Sequence, residues 1–151
     1  DTKLNNILFD DKTGEAICVI DLDTVMPGTV LFDTGDLIRT ATNTGAEDER
    51  DLSKVGFDLE LFRSLAAGYI SSAGSFLTDY EKSLIAESGR ALTQIMAVRF
   101  LTDYLNGDVY YKTERESHNL DRARTQIKLV REFEKRKDSL EAIVRSLASA
   151  R

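Results

Sequence analysis

Two short apolar runs open the chain, and their pattern differs from that of the later residues. Residues 6–9 and 15–20 are rich in β-prone side chains and flank a turn-rich cluster that ends at Gly14. Paired apolar runs around such a turn predict a β-hairpin. Pro27 and Gly28 come soon afterwards, so we expect a loop over residues 22–32.

From residue 33 onward, apolar positions recur at intervals of three and four residues, which predicts helices. We expect the first helix over residues 33–40, with a polar surface loop over residues 42–53 after it. The next apolar stripe is typical of one amphipathic helix ending near Gly74, and it consists of Leu59, Phe62, Leu65, Ala66 and Tyr69.

Two later segments have the spacing of a capping box, in which two side chains satisfy backbone N–H groups at a helix start. Thr78 with Glu81 predicts the start of a long helix, which Asn106-Gly107 ends. Asp138 with Glu141 predicts one more helix start. The chain is therefore expected to form a single, mostly α domain over residues 1–151, in which a short β-hairpin precedes four or five helices.

Composition narrows the possible functions. The formal charge of −6 argues against a nucleic-acid partner, because binding a phosphate backbone needs clustered Lys and Arg. No apolar run is long enough to span a bilayer, so we expect a soluble, cytoplasmic protein with no membrane partner. Cys18, the only cysteine, lies in an apolar run and is expected to be a buried, inert thiol. The only histidine, His118, is expected at the surface or in a helix cap.

Candidate chemistry is concentrated in the first residues. Asp1, Lys3 and Asn6 have the order and spacing of the aspartate, lysine and asparagine in a kinase catalytic loop. Asp21 comes after the second predicted strand, so the hairpin is expected to bring it near Asn6. Such a set can orient an attacking hydroxyl and hold Mg²⁺ against nucleotide phosphates. The alternative is that these residues are ordinary turn formers, as Asp and Asn usually are.

The loop, the hairpin and the Ile20-Asp21-Leu22-Asp23 turn, in that order, resemble the aminoglycoside phosphotransferase and choline kinase superfamily. Phe32-Asp33 matches a further aspartate of that pattern. The resemblance implies the helical C-terminal lobe of a protein-kinase-like fold, with ATP and Mg²⁺ as cofactors. It implies that Asp1 is the catalytic base, that Lys3 lies near the γ-phosphate, and that Asn6 and Asp21 bind the metal. Asp33 would brace the catalytic loop, and Asp23 would face the metal, face the substrate or cap the next loop.

A narrower resemblance covers most of the chain. Residues 18–28, 35–40 and 99–111 are similar to N-acetylhexosamine 1-kinases, whose relatives sometimes carry mucin-desulfatase names. This resemblance implies that Arg99 and Tyr110 contact the sugar and its N-acetyl group. Without it, Arg99 would be interpreted as complementing a helix dipole and Tyr110 as a half-buried core aromatic. A sulfatase of the common type is disfavoured, because Pro27 is the only proline and has no Cys or Ser two residues before it.

The sequence contains no Gly-rich phosphate loop and no strand of the Val-Ala-Ile-Lys type. We therefore expect a fragment that is inactive alone, with the nucleotide held mainly by an N-terminal lobe outside these residues. Three functions stay open. The first is phosphoryl transfer to a small-molecule sugar, at the anomeric hydroxyl of an N-acetylhexosamine. The second is a pseudokinase or helical binding module without turnover, and the third is a kinase of another small alcohol, such as an aminoglycoside or choline.

Overall fold

A β-hairpin begins the part of the chain that the structure, a computed structural model, describes, namely residues 6–149. Strand β1 (Ile7–Phe9) pairs antiparallel with β2 (Ala16–Val19), with Ile7 opposite Val19. In the turn, Asp10 Oδ1 accepts the backbone N–H groups of Lys12 and Thr13, at 2.9 and 2.8 Å. The hairpin predicted from the two apolar runs is confirmed.

The side chains of β2 are exposed, and this corrects the expectation for Cys18. The thiol is free and exposed rather than buried. Its neighbours Ile17 and Val19 are 63% and 58% exposed. The reason is that β1 and β2 pair with each other as a two-stranded sheet, and the described residues do not cover their faces. An apolar run therefore did not mean a buried run here.

Within residues 6–149, four helices come after the hairpin, so the prediction of a mostly α chain with a short hairpin is confirmed: α1 (Val30–Thr42), α2 (Leu59–Ala73), α3 (Asp79–Leu105) and α4 (His118–Ser149). Helix α1 begins three residues earlier than the pattern predicted, because the Thr29 hydroxyl accepts the N–H of Leu31 and caps the helix there. A single 3-10 turn, Leu22–Thr24, lies between the hairpin and α1.

The two predicted capping boxes had different outcomes. Thr78 and Glu81 form the box that starts α3, and the helix ends at Asn106 with Gly107 in the left-handed region at φ 90°. Asp138 and Glu141 do not form a box, because α4 runs through them without a break. Ion pairs of Glu141 with Lys137 and Arg145, four residues to either side, fit a continuous helix. The predicted helix start at Asp138 was wrong.

The hydrophobic core lies where the four helices meet the segment that connects α1 to α2. Phe57 of that segment packs edge-on against Phe133 of α4, with ring centroids 4.8 Å apart. The fully buried members include Val55, Phe62, Ile85, Leu129 and Leu140. Helix α3 packs along both α1 and α4.

No helix within residues 6–149 combines the length and the apolar character that a bilayer span requires.

Candidate active site

The base of the hairpin brings together two of the predicted site residues. Asn6 directly precedes β1. Asp21 follows β2, from which it is separated by Ile20. The Asn6 amide nitrogen lies 3.5 Å from Asp21 Oδ2, and the Ile20 N–H donates to the Asn6 carbonyl at 2.9 Å. The hairpin therefore places an amide and a carboxylate side by side, as the order of residues led us to expect.

Asp21 has an unusual backbone conformation. Its φ of 62° and ψ of 52° lie in the left-handed region, which residues other than glycine seldom adopt. Such conformations are costly and are concentrated at functional sites, where the surrounding structure imposes them. Here the strained residue is the one that carries the candidate metal-binding carboxylate.

The other predicted acidic residues lie close by in the chain but outside this pair. Asp23 is exposed in the 3-10 turn, and Asp33 is exposed in the first turn of α1. Burial, and then the negative charges of Asp33 and Glu81, raise the pKa of Tyr69 on α2. The role of Asp33 as a brace of the catalytic loop stays a prediction. Asp1 and Lys3 lie outside the described residues.

The donor set at the hairpin base fits Mg²⁺ only as an incomplete site. Within residues 6–149, no three His, Cys, Asp or Glu side chains converge into a metal-binding group. Mg²⁺ commonly binds through one or two protein oxygens, with waters and substrate phosphates completing its shell. Asn6 and Asp21 would provide an amide oxygen and a carboxylate oxygen for such a shell.

Arg99 and Tyr110, the predicted sugar contacts, also lie together. Arg99 is on α3 and Tyr110 is in the loop between α3 and α4, and the guanidinium carbon lies 5.7 Å from the centre of the Tyr110 ring. It lies 5.5 Å from the ring of Tyr111, which packs edge-on against Tyr110. Tyr110 is 72% exposed, so it is not the half-buried core aromatic of the alternative interpretation. The result is an exposed cationic and aromatic surface.

Sequence reasoning missed the residue that holds this loop in place. Asp103, near the end of α3, is buried, and its carboxylate accepts the backbone N–H groups of Val109, Tyr110 and Tyr111. Burial alone would raise the pKa of Asp103, but the N–H groups of Tyr111, Tyr110 and Val109 outweigh it and lower the pKa. Only the turn signal Asn106-Gly107-Asp108, three residues later, hinted that a side chain here could cap a loop.

His118 differs from its prediction as well. It is buried at the start of α4, where Nδ1 accepts the N–H of Glu114 and Nε2 lies 3.0 Å from Asp48 Oδ2. Arg115 reaches the same Asp48 oxygen at 3.1 Å. His118 therefore fastens the segment between α1 and α2 to the start of α4, which a linear pattern does not reveal.

A cavity of about 790 Å³ borders the α3–α4 loop through Tyr111 and Lys112. Its walls come from α1, α2, α3 and α4, and apolar side chains such as Leu37 and Met96 dominate them. Two buried polar atoms in its lining, the Tyr111 hydroxyl and Arg122 Nε, have no hydrogen-bond partner among the described residues.

Comparison with known families bears on the first part of the chain. Residues 1–67 match the model of the phosphotransferase enzyme family, APH. The matched region contains the hairpin, the Asn6–Asp21 pair, α1 and the start of α2. The match agrees with the resemblance of this segment to the aminoglycoside phosphotransferase and choline kinase superfamily. The mostly helical fold and the two-stranded hairpin of the described residues agree with the helical lobe of a kinase-like fold.

Proposed function

We propose that this chain is the catalytic lobe of an ATP- and Mg²⁺-dependent kinase that phosphorylates a sugar hydroxyl, the anomeric hydroxyl of an N-acetylhexosamine. The observation that carries the proposal is the Asn6–Asp21 pair, with Asp21 in the left-handed region, inside the segment that matches a phosphotransferase family. Phosphoryl transfer needs positioned oxygen ligands and charge stabilisation more than covalent chemistry. An amide and a carboxylate fixed at the end of a hairpin meet that need.

In the proposed site, Asp21 and Asn6 would hold Mg²⁺, Asp1 would accept the proton of the acceptor hydroxyl, and Lys3 would help to neutralise the γ-phosphate. Bound Mg²⁺ would neutralise part of the charge on the transferred phosphoryl group. The nucleotide would be held mainly by a lobe outside these residues, because the sequence has no Gly-rich phosphate loop. Asp23 and Asp33 would support the site from the 3-10 turn and from α1.

The acceptor preference rests on Arg99 and Tyr110. A guanidinium offers a rigid fork of donors to sugar oxygens, and a tyrosine ring offers a flat apolar face that suits an N-acetyl methyl group. Both groups are exposed and within cation–π distance of each other, so a sugar could contact both at once. This arrangement favours a neutral hexosamine over a cationic acceptor such as choline or an aminoglycoside, which the Arg99 charge would repel.

The first test uses the full-length protein with ATP and Mg²⁺. We expect N-acetylglucosamine or N-acetylgalactosamine to yield a sugar 1-phosphate, detected by ³¹P NMR alongside ADP release. Aminoglycosides and choline are tested in parallel, and turnover of one of these instead would favour the third function. Nucleotide binding without turnover of any acceptor would favour a pseudokinase.

A substitution pair then tests the metal pair. Asp21→Asn is expected to lower kcat by about 100-fold or more, because it removes the charged metal ligand at the site of phosphoryl transfer. Asp11→Asn is the matched control, since Asp11 is an exposed carboxylate in the turn of the same hairpin. Equal activity of the Asp21→Asn and Asp11→Asn proteins would contradict the proposal.

A further substitution tests the catalytic base. Asp1→Asn is expected to abolish turnover without changing the fold, and surviving activity would show that Asp1 is not the base.

A further inference from the structure

The loop after α3 is fastened by one buried carboxylate. We call residues 106–112 the acceptor loop, because Tyr110 lies in it. Asp103 Oδ1 accepts the N–H groups of Val109 and Tyr110 at 3.1 and 2.9 Å, and Oδ2 accepts the N–H of Tyr111 at 2.9 Å. Three consecutive backbone groups of the acceptor loop therefore converge on a single side chain.

The carboxylate is itself held from α4. Asn119, which is fully buried, donates its amide to Asp103 Oδ2 at 2.9 Å and to Asp108 Oδ1 at 2.8 Å. The Asn119 carbonyl accepts from Arg122 at 2.9 Å, and the same guanidinium nitrogen donates to the carbonyl of Lys112 at 3.1 Å. Helix α4 thus fixes both the carboxylate and the far end of the acceptor loop.

The position of Asp103 disfavours a role in helix stability. It lies in the last turn of α3, where the helix dipole disfavours negative charge, and it is only 5% exposed. A buried carboxylate is costly unless hydrogen bonds satisfy it, and here the acceptor loop provides those bonds. The main effect of the residue is therefore on the shape of the acceptor loop.

The position of the Tyr110 side chain depends on Asp103 more than the position of a core side chain would. Its ring is 72% exposed, and it contacts Tyr111 and Arg99 rather than the core. A ring with so little packing takes its position from its backbone. The backbone of Tyr110 takes its position from Asp103.

We infer that Asp103 is a positioning residue for the acceptor, which sets the Tyr110–Arg99 surface through the backbone of the acceptor loop. The inference rests on the proposed function, since it assumes that Tyr110 contacts the acceptor. Asp103 is buried, and its carboxylate accepts from backbone N–H groups of the acceptor loop and from Asn119. Its loss is expected to weaken acceptor binding without changing nucleotide binding or the phosphoryl-transfer step.

The experiment compares Asp103→Asn with Glu132→Gln in the full-length protein. Asp103→Asn replaces one of the two carboxylate oxygens that accept hydrogen bonds from the three backbone N–H groups with an NH₂ group. The KM for N-acetylhexosamine is expected to rise about tenfold, while kcat and the KM for ATP are expected to change less than about twofold. Glu132 is also a buried carboxylate in an ionic network, and it lies 13 residues beyond Asn119 on α4, roughly 20 Å along the helix. Glu132→Gln is expected to lower the melting temperature but to leave the acceptor KM unchanged. If both variants raise that KM equally, Asp103 acts only through stability and the inference is overturned.

A double-mutant cycle with Tyr110→Ala adds a readout that general destabilisation would not produce. If Asp103 acts through Tyr110, Asp103→Asn should raise the acceptor KM little further in a Tyr110→Ala background. Additive effects would overturn the inference. Amide hydrogen exchange at residues 109–111 should also quicken by about tenfold or more in Asp103→Asn, and unchanged exchange would overturn it without reference to activity.

The outcomes separate the inference from the function on which it rests. If the wild-type protein phosphorylates a hexosamine and Tyr110→Ala has a normal acceptor KM, the kinase assignment stands and the inference fails. If the wild-type protein phosphorylates no sugar, the proposed function fails and the inference fails with it.

Discussion

Glu132 is a buried carboxylate on α4 that three cationic side chains surround. Lys128, Lys135 and Arg136 donate to it at 2.6, 2.8 and 2.6 Å. The hydrogen bonds from Lys128 and Lys135, aided by Arg136, outweigh the effect of burial and lower the pKa of Glu132 from 4.5 to about 2. A carboxylate whose pKa is lower in the folded protein stabilises the fold above the unfolded-state value of 4.5, and that contribution is lost as the pH falls toward 2.

This shift leads to a stability prediction for Glu132→Gln. The shift corresponds to an upper bound of about 3 kcal/mol, and the exposure of Lys135 to solvent reduces the expected loss of unfolding free energy to about 2 kcal/mol at pH 7. Urea unfolding at a series of pH values checks it. The wild-type and variant proteins should differ at pH 7 and converge as the pH falls below 4, and a difference independent of pH would contradict the assigned cause.

Predictions for single residues were correct where neighbouring segments of the chain determine the position of the residue. Asn6 and Asp21 were expected to meet because a tight turn joins adjacent strands, and they do. Cys18 and His118 were misplaced, because their burial depends on what packs over them from distant parts of the chain. Asp103 was missed for the same reason, since its partners include Asn119 on another helix.

Helix boundaries were predictable where a cap coincided with a break in the chain. Thr78 comes shortly after the end of α2 at Gly74, so the capping box of α3 sits beside a real interruption. Asp138 has no glycine or proline before it in α4, and the apolar positions Phe133, Leu140 and Val144 keep helical spacing across it. The residue types of a capping box therefore meant a helix start in one place and an ordinary helix surface in the other.

The two boxes give a paired prediction for single alanine substitutions. Thr78→Ala removes a side chain that caps α3 and is expected to lower the unfolding free energy by about 1 kcal/mol. Asp138→Ala replaces an exposed interior residue of α4 with a better helix former and is expected to raise it by about 0.5 kcal/mol. Thermal unfolding followed by circular dichroism measures both. A loss of about 1 kcal/mol from Asp138→Ala would instead indicate a cap at that position.

At the scale of the whole molecule, the packing of α1 against α3 depends on two glycines. A Cβ added at Gly35 of α1 would lie 2.7 Å from the Ser88 carbonyl oxygen, and one at Gly89 of α3 would lie 2.6 Å from Ile38. Each helix therefore presents a bare backbone position to the other, and the Thr34 and Ser88 hydroxyls hydrogen-bond between them at 2.9 Å. The sequence predicted the helices but not this pairing, because glycine inside a helix gives no signal of which neighbour approaches it.

This close approach connects the fold to the candidate site, since α1 carries Asp33 and α3 carries Arg99 and Asp103.

Gly35→Ala forces a methyl group against the backbone of α3, which cannot move as a flexible side chain would. We expect a loss of about 1–3 kcal/mol in unfolding free energy, and a fall of roughly 2–4 °C in melting temperature per kcal/mol lost. Gly68→Ala on α2 is the matched control, because no atom lies within 4 Å of the added Cβ and the position is exposed. That control is expected to gain about 0.5–1 kcal/mol. If Gly35→Ala were as well tolerated as Gly68→Ala in calorimetry, α1 and α3 would not be packed at backbone contact, and the positions of Asp33 and Arg99 could not depend on that contact.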